Sequence, residues 1–393
     1  MDFEFTAEER DFIRQVKEFL RENHDPLVMD VTRENMAQVC DTPERRAFMK
    51  KVAERGWLGL TWPKEYGGQD GEGFFEYLLN ELLSSVGAPQ IGKGVGIIGK
   101  TLIKVGSEKL KKEFLPKILD AEVEFAVGYS EPSAGSDSAA MRLRAERKDA
   151  GWVLNGQKIF TTSAHFADWY WVGARTDPDA PKHHGISLFL VPMNHPGLTI
   201  HPMPTMGGER TNGVFFDDVY VPDEYRVGEL NKGFQYIAEA LDIERFTLFT
   251  FAPIRGRVEL LCDHVKTATR DGKPLKDDPV IRQRIAQLAT ECEVGKLLGV
   301  KFVCTAMHSN KTPTVEASCY KLYATELSLR VANATMDIVG PGAQLALGTP
   351  DAPLGGRSES CYTYTVIDTI GGGSSEVQKN IISKRGLGLP KNF

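Results

Sequence analysis

The chain has 393 residues, with 47 Lys plus Arg against 53 Asp plus Glu, a formal net charge of −6. That length exceeds what one hydrophobic core usually organises, so two or three packed regions are expected. The mildly acidic balance excludes a general nucleic-acid binder, whose phosphate contacts need a basic excess.

A 41% hydrophobic and 25% charged composition is that of a globular protein rather than a disordered or fibrous one. No run approaches the ~18 apolar residues of a membrane span. Met1-Asp2-Phe3-Glu4-Phe5-Thr6 has neither the basic nor the apolar region of a secretory signal. The six cysteines include no C-x-x-C pair, which argues against a zinc ribbon or disulfide framework and for a reduced, cytoplasmic setting. The 38 glycines stand above the usual ~7%.

The first ~120 residues read as helices. Thr6 and Glu9 have capping-box spacing ahead of Phe12, Ile13, Val16, Phe19 and Leu20 at helical intervals. Thr42-Pro43 combines an N-cap with Pro at the first helical position, opening a stretch that stops near Gly56. Trp62 to Gly68 reads as a loop, and the helical pattern resumes over Glu76–Leu83 and Lys109–Leu119. Near Glu124 the period becomes that of strands. Asn155-Gly156, between Trp152-Val153-Leu154 and Lys158 to Thr162, is a strong hairpin signal. Further short strands are expected at Trp169–Gly173, Ile186–Val191, Leu198–His201 and Val214–Phe216, antiparallel because their connections are too short for helical crossovers. From Gly233 the helical period returns, with bundle helices over Arg282–Cys304 and Val315–Val339. The expected architecture is multidomain α+β: an N-terminal helical domain (1–123), a middle antiparallel β domain (124–232) and a four-helix-bundle-like C-terminal domain (233–393).

Several motifs are weak by themselves. Gly94-Val95-Gly96-Ile97-Ile98-Gly99 matches G-x-G-x-x-G but follows no strand and opens no βαβ unit, so close helix packing is the better reading. His183-His184 has no partners at metal-ligand spacing, so no metal site is expected. Ser130, Ser136 and Ser163 lack a nucleophile-elbow context. The small residues of Ser130 to Asp137 instead allow close approach of backbone N–H groups to an anion or a flat ring.

Phe125 to Asp137, followed by Leu154-Asn155-Gly156-Gln157-Lys158 and Phe160-Thr161-Thr162, resembles the flavin-binding signature of acyl-CoA dehydrogenases. The resemblance covers nearly the whole chain, including Tyr66-Gly67-Gly68, Val219-Tyr220-Val221-Pro222 and Gly371 to Gln378. It implies FAD lying between subunits of a homotetrameric dimer of dimers, an acyl-CoA substrate and an electron-transfer flavoprotein as electron acceptor. Val127, Tyr129 and Ser130 would hold the pyrimidine end of the flavin, and Ser136 the phosphate and the CoA moiety. Phe160 stands where many members have Trp beside the ring, and Thr162 matches a threonine near flavin N5. Arg270 matches an arginine that reaches the FAD pyrophosphate across the dimer. Asp337 to Pro341, with Gly340 kept from a glycine pair, matches the segment touching the partner's FAD. Ser374 and Glu376 match contacts to the adenosine diphosphate.

The family's usual catalytic glutamate falls on Gly372, which cannot take a proton. In the isovaleryl-CoA and long-chain members the base lies instead on a helix of the third domain, immediately before an arginine. Glu244-Arg245 has that place. The resemblance thus implies Glu244 as α-proton acceptor and FAD as hydride acceptor. It also implies Asp242, Arg245, Ser136 and the Gly372-Gly373 backbone on the substrate side. Two rivals remain at this level: a non-catalytic or half-site subunit paired with a homologous chain, and an oxidase or monooxygenase on the same fold.

Overall fold

A computed structural model describes residues 4–248, 250–308 and 313–390, without the side chains at 35, 242–248 and 308. Five helices build the N-terminal region: α1 (Ala7–Glu22), α2 (Pro43–Glu54), α3 (Gly73–Ser85), α4 (Lys100–Val105) and α5 (Glu108–Leu119). Local chemistry sets their starts. Thr6 Oγ1 accepts the Glu9 N–H at 3.1 Å while the Glu9 carboxylate accepts the Thr6 N–H at 2.6 Å, closing the expected box. Thr42 caps α2 through the Arg45 N–H, and Ser107 caps α5 through the Leu110 N–H. The Gly94–Gly99 run is a buried π-helical turn. A Cβ at Gly99 would lie 2.0 Å from the Trp62 ring, and one at Gly94 3.4 Å from Phe125, so these glycines serve close packing.

The middle region is a sheet in the order β6-β7-β3-β2-β4-β5-β8, with β1 added beside β4. The strands are β1 (Phe125–Gly128), β2 (Arg144–Lys148), β3 (Gly151–Lys158), β4 (Trp169–Arg175), β5 (Ile186–Pro192), β6 (Leu198–Pro204), β7 (Arg210–Pro222) and β8 (Arg226–Val227). Two expectations are corrected. Asn155-Gly156 is not a turn: β3 runs through it as one strand paired with β7, and a register shift between Leu154 and Gly156 marks a bulge. The Asn155 side chain, which would have stabilised a turn, instead exchanges two 2.9 Å hydrogen bonds with Asp218 on β7. The tight turn lies at Asp149-Ala150, between β2 and β3, with Asp149 at φ 49°. The sheet is also mixed, because β1 pairs with β4 in parallel.

Strand alternation divides the sheet between two cores. Ile186, Leu188 and Leu190 of β5 pack into the helical core of the N-terminal region, whereas Phe189 and Val191 pack among Tyr170, Val172 and Leu154 inside the sheet. Both faces of β5 are therefore buried.

The C-terminal region contains α6 (Gly233–Leu248), α7 (Ala252–Thr267), the short hairpin of β9 (Thr269–Arg270) and β10 (Lys273–Pro274), and then α8 (Pro279–His308), α9 (Thr314–Val339), α10 (Arg357–Asp368) and α11 (Ser375–Ile381). The observed order of helical, β and helical regions is the expected one. Glu81 of α3 ties the two helical regions together by accepting the Phe251 and Ala252 N–H groups, at 2.7 and 2.8 Å, at the start of α7. Burial pushes this carboxyl from its usual 4.5 up to about 7, against the pull of those two amides. The folded state thus binds this proton more tightly than the unfolded chain does. The associated stability is fully present below pH 4.5 and is lost as pH rises through about 7. Glu81→Gln is expected to flatten the decline in stability over that window, by at most about 3 kcal/mol. Urea melts of both proteins at several pH values provide the check, and parallel pH curves would refute the assignment.

Candidate flavin and acyl-thioester site

β1 uses one edge to pair with β4 (Phe125↔Trp169 to Gly128↔Val172); among the described residues, no strand pairs with its other edge. That leaves the far edge of β1 at Val127, with Tyr129 and Ser130 following it, facing a space that suits a flat polar ring edge. The Ser130 carbonyl accepts the Ile159 N–H at 2.9 Å, which draws the segment after β3 alongside. Phe160 follows in the left-handed region at φ 58° with 63% of its surface exposed. It is held in place from its neighbour: the Thr161 N–H donates to the Asn212 carbonyl and Thr161 Oγ1 meets the Tyr170 hydroxyl at 2.7 Å. A bulky apolar side chain in a strained conformation, facing outward from a braced backbone, suits an aromatic ligand. Thr162, half-buried, comes next. Val127, Tyr129, Ser130, Phe160 and Thr162 are thus brought together, while Ser136 lies nearby in the exposed loop after the Glu131/Ala134 bridge.

Behind this wall is a buried ion pair that the motifs did not disclose. Lys158 Nζ, fully buried, donates to Glu131 Oε1 at 2.8 Å and lies 3.4 Å from the Tyr129 carbonyl. Glu131 also accepts the Arg142 and Leu143 N–H groups. Burial lowers the Lys158 ammonium to about 8, with Glu131 opposing that shift.

A second cluster forms where α10 meets α11. Gly372 and Gly373 both adopt positive φ, 64° and 90°. Ser374 caps α11 by accepting the Val377 N–H, and the exposed Glu376 carboxyl is held below its usual range by its own backbone N–H and by Ser374. Because an anion already uses this short helix start, the position suits hydroxyl or amine groups better than a phosphate. A third cluster joins Arg270, which donates to the Ile338 carbonyl at 2.5 Å, with Asp337 and with Gly340 at φ 82°. The side chains of Asp242, Glu244 and Arg245 lie outside the described residues; their helix α6 packs against β5, α9 and the Gly94–Gly99 turn. Helical geometry sets Glu244 one turn beyond Ala240 and two beyond Ile237, both buried.

Family models of the acyl-CoA dehydrogenase N-terminal, middle and C-terminal domains match residues 6–122, 126–219 and 231–387 respectively. The chain belongs to the acyl-CoA dehydrogenase family. Acyl-CoA dehydrogenase FadE26 of Mycobacterium tuberculosis is 34% identical over 353 residues, 88% of each protein. Among solved structures, the Tcur3481-Tcur3483 steroid ACAD superposes with a TM-score of 0.89 at 32% identity over the full length of both chains. The ChsE4-ChsE5 complex from Mycobacterium tuberculosis gives the same TM-score, identity and coverage.

Acyl-CoA dehydrogenases are FAD-dependent, and the residues of this family member fit that cofactor. The open β1 edge and the outward Phe160 ring suit a flat ring, and the left-handed glycines at Gly340, Gly372 and Gly373 suit a close backbone approach to a ligand. The charges that brace the β1–Phe160 segment, Glu131 and Lys158, lie within the flavin-signature motifs but were not among the candidate site residues. Their only sequence signal is a charged residue inside an otherwise small or apolar motif.

Proposed function

We propose that this acyl-CoA dehydrogenase removes the α-proton and β-hydride of an acyl-CoA thioester to give a 2-enoyl-CoA, with Glu244 as the proton acceptor. The observation that carries the reading is the braced Phe160–Thr162 wall beside the open edge of β1, in a chain whose loop glutamate is replaced by Gly372. When bound, FAD supplies the hydride-accepting ring, and the electrons pass on to an electron-transfer flavoprotein. Val127, Tyr129 and Ser130 would hold its pyrimidine edge, Phe160 and Thr162 would lie against its ring, and Ser374 and Glu376 would hold its adenosine end. The Gly372 N–H, with the Gly373 backbone beside it, polarises the thioester carbonyl, lowering the cost of breaking the α C–H bond. Glu244 takes that proton at its carboxylate, while Asp242, Arg245 and Ser136 position the substrate.

The names of the solved relatives extend the proposal to bulky, ring-bearing acyl groups, since one is a steroid ACAD. Anaerobic titration of the FAD-loaded protein with straight, branched, cyclic, dicarboxylic and steroid side-chain CoA esters tests this. Bleaching of flavin absorbance by at least one ester, strongest for a ring-bearing one, is expected. No bleaching with any ester would dismiss the reading.

A second reading is favoured by the third cluster. Arg270 is tied to its own chain, and Asp337, 74% exposed at its side chain and 3.7 Å from Arg284, puts a carboxylate in the segment that would touch the partner's FAD. A homologous second chain would then complete the FAD site, as the two-chain names of the neighbours suggest for those proteins. Purification of this chain alone decides: an active homotetramer with one FAD per chain rules the second reading out.

A further inference from the structure

The segment Thr369–Ser374 joins the end of α10 to the start of α11 and contains three consecutive glycines. Such a stretch loses more backbone entropy on ordering than any other composition would, so a defined conformation needs external restraint. The restraint comes from two fully buried side chains. Lys321, in the middle of α9, donates from Nζ to the Asp368 carbonyl at 2.9 Å and to the Gly373 carbonyl at 2.8 Å. Gln378, on α11, donates from Nε2 to the Gly372 and Gly373 carbonyls at 3.2 and 3.0 Å.

An ammonium in the interior is costly, and a Met of similar length would fill the space without that cost. What the charge supplies here is directional. Two of its acceptors are a carbonyl at the C-terminal end of α10, where a cation is favoured by the helix dipole, and one in the glycine loop.

Peptide planarity turns these bonds into an orientation. The carbonyl of Gly372 and the N–H of Gly373 belong to one trans plane and point in opposite directions, so a donor that fixes the first aims the second. Among the described residues, no acceptor meets the N–H of Gly372 or Gly373. The carbonyl side of the loop is thus tied inward to Lys321 and Gln378, and the N–H side is left for a ligand.

We propose that Lys321 and Gln378 are positioning residues that hold the glycine loop so that its Gly372 and Gly373 N–H side faces the thioester carbonyl. The inference rests on the dehydrogenase reading above. It assigns to the chain's own interior the precision that a loop lacking the family's glutamate side chain needs for carbonyl polarisation. Neither residue touches substrate, and their effect is transmitted through the loop.

The test uses the FAD-loaded, full-length protein and an acyl-CoA ester that bleaches the wild-type flavin. Gln378→Met and Lys321→Met should each keep FAD and lower kcat by about 10- to 100-fold, somewhat less than outright loss of an oxyanion donor costs. KM should change by less than about threefold, because ground-state contacts elsewhere on CoA persist. The infrared carbonyl stretch of bound thioester, red-shifted in the wild type, should move back toward its free-solution frequency. Amide hydrogen exchange at 371–375 should quicken in both variants. If Lys321→Met fails to fold, Gln378→Met alone decides. Wild-type-like kcat and carbonyl stretch in a folded variant would overturn the inference. If the wild type bleaches with no ester, the dehydrogenase reading has failed instead. Hydrogen exchange then still judges the clamp, and unchanged exchange would overturn that too.

Discussion

Glu244→Gln is expected to leave a folded, FAD-loaded protein whose kcat with its best acyl-CoA ester falls by about 10²- to 10⁴-fold, the range that a positioned general base contributes. The expectation follows by elimination as well as by position. Gly372 offers no side chain at the place where relatives carry a loop glutamate. Among the described residues, three other carboxyls are raised by burial to about 7 and Glu209 to about 6, values suited to proton abstraction, yet each is committed elsewhere, Glu209 by accepting from Thr205 Oγ1 at 3.3 Å. Glu81 caps α7, Asp368 accepts from Ser328 Oγ at 2.8 Å inside the C-terminal bundle, and Glu124 pairs with Cys40 at the edge of the N-terminal core. On α6, which packs against the sheet and the Gly94–Gly99 turn, Glu244 follows Ile237 and Ala240 by seven and four positions. Rapid-reaction measurement of flavin bleaching separates loss of proton abstraction from loss of binding: substrate should still bind the variant with a near-normal Kd. A bleaching rate within tenfold of wild type would remove Glu244 from the mechanism.

Features set by short-range chemistry were legible before any coordinates. Thr6 and Glu9, or Thr42 and the Arg45 amide, meet within three residues, so the residue types alone specify the bond. The long helices α8 and α9 were legible for a related reason, since periodicity records a single element's burial. Asn155-Gly156 failed because the same two residues that make a tight turn also make a bulge, and pairing with β7 selects between them. That choice is made by a strand more than fifty residues away, which no local pattern encodes.

The candidate site divides along the same line. Its surface residues, Val127 to Ser130 and Phe160 to Thr162, carry a sequence signature because a ligand constrains them jointly. Its supports do not. Glu131 and Lys158 are 27 positions apart, and Lys321 and Gly373 are 52 apart. Their partnership exists only once β3 lies beside the segment following β1, or once α9 passes beneath the α10–α11 loop. A lone Lys in a strand or a helix reads as solvent-facing, yet Lys158 of β3 and Lys321 of α9 are both fully buried.

Lys158→Met should cost about 3–5 kcal/mol of stability, the penalty for leaving one member of a buried ion pair without the other. Glu131 would retain the Arg142 and Leu143 amides but lose the cation hydrogen-bonded to it, at a site with 6% exposure. Glu131→Gln should be costly for the mirror reason, leaving the Lys158 ammonium with neutral acceptors. The double variant Lys158→Met/Glu131→Gln removes both charges and should recover a substantial part of the loss, because the desolvation penalty of the pair disappears with it. Urea unfolding of the four proteins gives the coupling energy directly. A Lys158→Met cost below about 1 kcal/mol, or strictly additive single effects, would contradict an energetically coupled pair. The same series reads out the link to function. Lys158 holds the Tyr129 carbonyl and the end of β3, and the Ser130–Ile159 hydrogen bond carries that restraint to Phe160. FAD affinity should therefore weaken in Lys158→Met even in conditions where the variant remains folded, and return with the double variant to the extent that the backbone does.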